Sequence, residues 1–204
     1  SGDLNYVQLS KPYGATPNTF ACWMKIDPNF PDGTRVGVMI GTYPEANNIN
    51  WEVHTSGLAR IWWNNGEVDW RVPGIDMRTG EWEHIVFVRD TSEGAIHFYL
   101  NGKRAASLNR VGSEVDPQAL PFVGGDLRGA GTHIFKGQLD EVALFARPLT
   151  PTEVFRLYAN AFDFPEFQFP TPQILSVTPL EGAVNVGPES DIEVLVDEGS
   201  SLTD

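Results

Sequence analysis

Glu81-Trp-Glu-His-Ile-Val-Phe-Val-Arg-Asp90, a turn, then Ala95-Ile-His-Phe-Tyr-Leu-Asn-Gly102 is the stretch that decides the fold. Two short runs rich in β-branched and aromatic residues, split by Glu93-Gly94 and closed by Asn101-Gly102, read as consecutive antiparallel strands. A second piece belongs with it. Phe135-Lys-Gly-Gln-Leu-Asp-Glu-Val-Ala-Leu-Phe145 reads as one more strand, and Arg-Pro-Leu-Thr-Pro-Thr-Glu-Val-Phe-Arg-Leu-Tyr-Ala-Asn160 follows at once. In that tail Thr150-Pro151-Thr152-Glu153 is a capping box with proline at the first helical position. The threonine caps a free N–H, the glutamate reaches back, and proline has no N–H to lose. Val154, Leu157, Tyr158 and Ala161 then recur at helical spacing and are expected to pack on a sheet.

The same rhythm extends backwards. Gly33, Asn64-Asn65-Gly66, Gly74, Thr79-Gly80 and Glu93-Gly94 punctuate short apolar runs, as expected of antiparallel strands. Asn65-Gly66, between Ala59–Trp63 and Glu67–Val72, is a two-residue hairpin signal, and Asn101-Gly102 is another. The 20 glycines and 15 prolines in 204 residues suit a loop-rich β protein with room for one full core and a smaller piece.

A formal net charge of −13 argues against nucleic-acid and anionic-membrane partners, which need a basic footprint. No apolar run is long enough to span a bilayer, so membrane insertion is not expected. Cys22 is the only cysteine and lies in an apolar strand, where a thiol acts as a small hydrophobe; no disulfide can form within the chain. The chain opens at Ser1-Gly-Asp-Leu-Asn and reads as a fragment of something longer.

From Phe162 to Pro172 three prolines fall in eleven residues without periodicity, which reads as a semi-rigid linker over residues 163–172. The runs Gln173-Ile-Leu-Ser-Val-Thr and Asp191-Ile-Glu-Val-Leu-Val resemble the first strands of a bacterial immunoglobulin-like module over residues 173–204. Roughly thirty residues are too few to close such a sandwich.

The quoted pieces together resemble the laminin-G-like jelly roll of the concanavalin-A-like superfamily, in its bacterial extracellular form, over residues 1–162. The resemblance implies an all-β fold: a two-sheet antiparallel jelly-roll sandwich with one short C-terminal helix. It also implies an extracellular or cell-surface protein. The ligand is not implied, because this scaffold serves lectins, adhesins, spacers and hydrolases.

Strand parity sorts the side chains. Trp51 with Val53, Ile61 with Trp63, Val68 with Trp70 and Val72, and Ile96 with Phe98 and Leu100 form the inward sets; Trp23 and Trp82 lie in strands of the same kind. Trp62 is the exception among the six tryptophans, facing out with Arg60, Asn64, His54, Arg71, His97 and Tyr99. An aromatic plate ringed by arginine, histidine and amide groups suits a sugar: the ring stacks on a pyranose and the polar groups bond hydroxyls. The alternative is that Trp62 lies under a loop or helix, since parity slips by one residue at any bulge.

The resemblance further implies a structural calcium, held by an aspartate of the last long strand with groups near the amino terminus. Asp140 matches the strand position, and Asp3 stands one step after the usual place. Hard oxygen ligands suit calcium, although Asp140 could equally cap a turn or pair with Arg147. Hydrolases of the superfamily carry two glutamates and an aspartate on one strand, with carboxyls ~5 Å apart for a retaining reaction. Glu67-Val-Asp69 and Glu114-Val-Asp116 each lack the second glutamate, and Ala95-Ile96-His97 lacks the glutamine of the alginate-lyase strand. His54, His84, His97 and His133 show no metal-ligand spacing. The expected function is non-catalytic recognition of a polysaccharide or glycan. The alternative is a structural or adhesive module that contacts another extracellular protein.

Overall fold

The structure, a computed structural model, describes residues 6–10, 12–30, 36–42, 48–125, 133–160, 174–178 and 193–196. The chain divides into two compact units, Ser1–Tyr158 and Ala159–Asp204.

The first unit is a sandwich of two antiparallel sheets. Strands follow in chain order: β1 (Val7–Gln8), β2 (Thr19–Ile26), β3 (Val36–Gly41), β4 (Ile49–His54), β5 (Leu58–Trp63), β6 (Val68–Asp76), β7 (Glu83–Asp90), β8 (Ala95–Leu100), β9 (Lys103–Leu108), β10 (Phe122–Val123) and β11 (Gly137–Phe145). One sheet has the order β1-β10-β3-β4-β5-β6, the other β11-β2-β7-β8-β9. The jelly-roll expectation therefore holds.

The core follows the predicted parity. Trp51, Val53, Ile61, Trp63, Val68, Trp70 and Val72 of the larger sheet meet Phe20, Cys22, Met24, Ile85, Phe87, Ile96 and Phe98 of the smaller one. Aromatic stacking ties the sheets together: Phe20 lies on Trp51 at 5.0 Å, and Trp70 meets Phe87 edge-on at 6.1 Å. Cys22 is fully buried, and burial pushes its thiol pKa well up, so it is an inert hydrophobe.

Two tryptophans depart from the expected core. Trp23 lies on the other side of β2, stacked on Tyr158 at 5.7 Å. Trp82 precedes β7 and is 39 % exposed. The β5–β6 connection also departs from a two-residue turn. Asn64, Asn65 and Gly66 all take positive φ (45°, 55° and 90°), so the turn is longer than Asn65-Gly66 alone. Asn101 and Gly102 (φ 49° and 75°) do form the tight β8–β9 turn.

Helix α1 (Pro151–Asn160) starts as its capping box requires. The Thr150 N–H donates to Glu153 Oε2 at 2.7 Å, and the Glu153 N–H donates back to Thr150 Oγ1 at 3.3 Å. Arg147 adds an ion pair at 2.6 Å, and these donors hold the Glu153 carboxyl down at about 2. Val154 and Leu157 pack with Leu149 on Ala21, Val86, Val88 and Tyr99, the outward side of the five-stranded sheet. Ala161 lies outside the described residues.

In the second unit β12 (Ile174–Thr178) pairs antiparallel with β13 (Glu193–Val196). The linker read at 163–172 lies outside the described residues.

Candidate functional site

The site grows from cross-strand register on the outward side of the six-stranded sheet. Asn50, Trp62 and Asp69 form one rung across β4, β5 and β6, and Glu52, Arg60 and Arg71 form the next. Alternation puts all six on the face opposite the core. Asn50 and Glu52 are fully buried even so, whereas Asp69 and Arg71 are exposed on β6, the edge strand. The face is thus closed over β4 and opens toward β6.

Arg60 is its centre. Nη1 donates to Glu52 Oε1 at 2.7 Å and Nε donates to Asp69 Oδ1 at 2.6 Å. The guanidinium also lies 4.7 Å from the centroid of the Trp62 ring. Only 8 % of Arg60 is exposed, so it braces the indole and is no free wall of a groove. Gly66 supports the far end of the ring: a Cβ there would come within 2.9 Å of Trp62 Cη2. Trp62 is held half-buried by these neighbours. Arg71 reaches Asp69 at 3.8 Å and keeps most of its donors for other partners.

His54 ends β4 beside this cluster. Its Nδ1 accepts the Ser56 N–H at 3.1 Å, which leaves the ring proton on Nε2. Burial, then Arg71 and Arg60, lower its pKa, so the imidazole is neutral at pH 7.

The remaining expected residues are elsewhere. Asn64 sits in the turn, donating to Glu67 Oε2 at 2.7 Å. Glu67 also accepts the Ser113 N–H at 3.0 Å, so the pair fastens a turn to a loop. His97 and Tyr99 belong to β8, in the other sheet, and this corrects the grouping drawn from parity. Parity assigns a residue to a face of its own sheet and is blind to which sheet that is. Tyr99 is buried under α1, while His97 bonds Ser107 Oγ at 2.8 Å and Glu93 Oε2 at 3.1 Å. Glu52 and Asp69 join the site beyond the expected residues, and both share the outward parity of Trp62. The signal was present in the sequence as opposite charges on neighbouring strands.

At the expected metal position, Asp140 is exposed on β11, and its Oδ1 accepts the Glu141 N–H at 2.8 Å. Glu141 has φ 48° at a bulge between Asp140 and Ala143, so Asp140 caps that irregularity. Arg147 pairs with Glu153 instead. Among the described residues no three His, Cys, Asp or Glu side chains gather around one point, and Asp3 lies outside them. The described donors alone do not fit calcium, which takes six or more oxygens.

Comparison with known proteins agrees with this architecture. The family model described as the concanavalin A-like lectin/glucanases superfamily matches residues 1–155. No match is found among curated proteins. Domain 4 of an extracellular arabinanase from Geobacillus stearothermophilus, solved with arabinotriose, is similar at 21% identity and TM-score 0.59, over 75% of this chain and 72% of that one. The carbohydrate-binding module of the Ruminococcus gnavus IT-sialidase, bound to α2,3-sialyllactose, is similar at 12% identity and TM-score 0.55, over 75% and 96%. A pentraxin from Limulus polyphemus is similar at 16% identity and TM-score 0.55, over 75% of each chain. The chain belongs to the concanavalin A-like lectin/glucanases superfamily.

Proposed function

We propose that the first unit is a non-catalytic glycan-recognition module of an extracellular protein, with its contact surface on the β5–β6 side of the six-stranded sheet. The observation that carries this is the bracing of Trp62 by Arg60, itself fixed between Glu52 and Asp69. A buried ion pair on the outward side of a sheet is costly to desolvate, and apolar residues would serve stability as well. What it does provide is one fixed orientation for an indole and for the Asp69 carboxylate beside it. A rigid ring with fixed acceptors and donors is suited to a pyranose, because little ordering is left to be done on binding. Asp69 and Arg71, with the His54 Nε2–H, are the polar groups available to hydroxyls. The charges within the cluster offset one another, Glu52 and Asp69 against Arg60 and Arg71, which suits an uncharged sugar. Two similar structures are of modules solved with oligosaccharides, which supports the reading at the level of fold.

The test is a glycan array and polysaccharide pull-down comparing the wild type with Trp62→Ala in calcium-containing buffer. Binding by the wild type that weakens or disappears in the folded variant supports the proposal. Silence from both proteins moves the assignment to a structural or adhesive module.

The calcium implied by family resemblance is a separate proposal, resting on Asp140 with Asp3 as partner. A chelator that lowers the melting temperature supports it, and an unchanged temperature removes it.

A further inference from the structure

The outward face of the five-stranded sheet is only partly covered. Tyr158 of α1 lies over Trp23 and His84, with ring centroids 5.7 and 6.1 Å away, and these two residues are paired across β2 and β7. The next rung is open. Gln138 pairs with Lys25 across β11 and β2, and Trp82 stands one residue beyond the Met24–Glu83 pair of β2 and β7. Lys25 and Gln138 fall on the side away from the core by alternation, since Met24 points inward; Trp82, just before β7, is placed at the surface by its exposure. Trp82 is 39 % exposed, unusual for so large an apolar side chain in this unit.

Beside this rung is a cleft of ≈ 440 Å³, lined by Lys25, Asp27, Pro28, Gly80, Lys136 and Gln138 with Ile26 and Gly137; Trp82 is outside this lining and follows Gly80 by two residues. Neither lysine has a carboxylate in ion-pair reach among the described residues. Gly80 rests against Pro28, where an added Cβ would come within 2.8 Å of Cγ, so the loop that carries Trp82 is seated against the cleft wall. We propose that Trp82 and this cleft form a second glycan site, taking a neutral, hydroxyl-rich sugar. The indole offers a stacking face, Lys25, Lys136 and Gln138 donate to hydroxyls, and Gln138 and Asp27 accept. Asp27 shares the cleft lining with the two lysines, and the chain carries −13 overall, so a polyanionic ligand is disfavoured.

This inference rests on the glycan reading of the first unit and extends it: with sites on both sheets, one molecule can bridge two polysaccharide chains. Two weak sites on one particle also gain avidity on a repeating ligand without any new contact.

Native electrophoresis in gels containing soluble arabinan, xylan, β-glucan or mannan tests it, on the full chain and on Trp62→Ala, Trp82→Ala and the double variant. Trp82→Ala removes an exposed side chain and is expected to leave the melting temperature unchanged. In the gel that retards the wild type, it is expected to weaken binding about tenfold, the range in which a buried aromatic anchor acts. The wild type is also expected to precipitate with the long polysaccharide, while either single variant binds without precipitating. Full retardation and precipitation by Trp82→Ala, with binding lost in Trp62→Ala, overturns the second site and leaves the first. Loss in Trp82→Ala alone keeps the second site and removes the first. Retardation of no protein in any gel overturns both.

Discussion

The two outward faces of the sandwich are built from strands of the same kind and finished in opposite ways. On the five-stranded sheet, Ala21, Val86, Val88 and Tyr99 are apolar, and α1 covers them. On the six-stranded sheet, the equivalent positions hold Glu52, Arg60, Trp62, Asp69 and Arg71, which are joined to each other by ion pairs and stacking. The inner faces are alike, so the difference is not about closing the core. An apolar outward row needs a cover and is thereby committed to structure; a charged row that satisfies itself stays available to a partner. Two buried arginines show the same division. Arg89 donates to the carbonyls of Val111 and Gly112 and holds a loop across the end of the sandwich. Arg60 holds only side chains of its own face.

The largest expected effect comes from breaking that face. Arg60→Ala leaves Glu52 buried without its cation and should cost about 3 kcal/mol or more in denaturant unfolding. Replacing the pair together, Glu52→Leu with Arg60→Met, should restore most of that stability, because well-packed apolar residues substitute for a buried ion pair. The double variant should still bind more weakly than the wild type, since the indole has lost its brace. A double variant that binds like the wild type would show that the network serves stability alone.

The covered face has its own weak point, at His84. The ring is buried between Trp23 and Tyr158, its Nδ1 has no hydrogen-bond partner among the described residues, and burial lowers its pKa to about 4. The unfolded state, with an ordinary histidine pKa near 6.5, binds a proton first as pH falls. Stability is therefore complete above about pH 6.5 and declines from there toward pH 4, by up to about 3 kcal/mol. His54 shifts in the same direction, chiefly through burial, and adds to the decline as pH falls below the ordinary histidine range. Glu153, held at about 2, loses its contribution only at lower pH, from its ordinary carboxylate range downward. Thermal melts of wild type and His84→Gln between pH 7 and 4 check this. Equal slopes for the two proteins would remove His84 as the source.

Removing part of the cover should do less. Val154 is fully buried, and Val154→Ala deletes two methyl groups at the centre of the α1 contact. The expected loss is about 2 kcal/mol by chemical denaturation, with Trp62-dependent glycan binding unchanged. Loss of the Trp62-dependent binding in a folded Val154→Ala protein would couple the two faces.

Most of this contrast was written in the strands themselves. His84-Ile-Val-Phe-Val88 is nearly continuous in apolar residues, the pattern of a strand buried on both sides, and the amphipathic helix that covers it follows from its capping box. Val68-Asp-Trp-Arg-Val72 alternates cleanly, the pattern of a strand with one polar face. The sheet to which each strand belongs was not legible, because register along the chain carries no information on long-range pairing. His97 and Tyr99 were misplaced for that reason. Trp82 departs from the strand expected for it because β7 begins one residue later, and composition does not fix a strand boundary to that precision. Arg60 was legible as an outward residue but not as a support, since its role is set by Glu52 and Asp69 on neighbouring strands.

The smallest perturbation is also the most selective probe of the open face. Gly66 has φ 90° and lies against the end of the Trp62 ring. Gly66→Ala is strained on both counts, with a stability cost of about 1 kcal/mol for the backbone conformation. The added methyl group would push the indole from its place against Arg60 while leaving every charge of the cluster in position. If the fixed ring is what binds sugar, affinity should fall although the ion pairs, the core and the helix contact are untouched. If affinity follows only the charges, Gly66→Ala should bind as the wild type does, and the role assigned to the bracing of Trp62 would pass to Asp69 and Arg71.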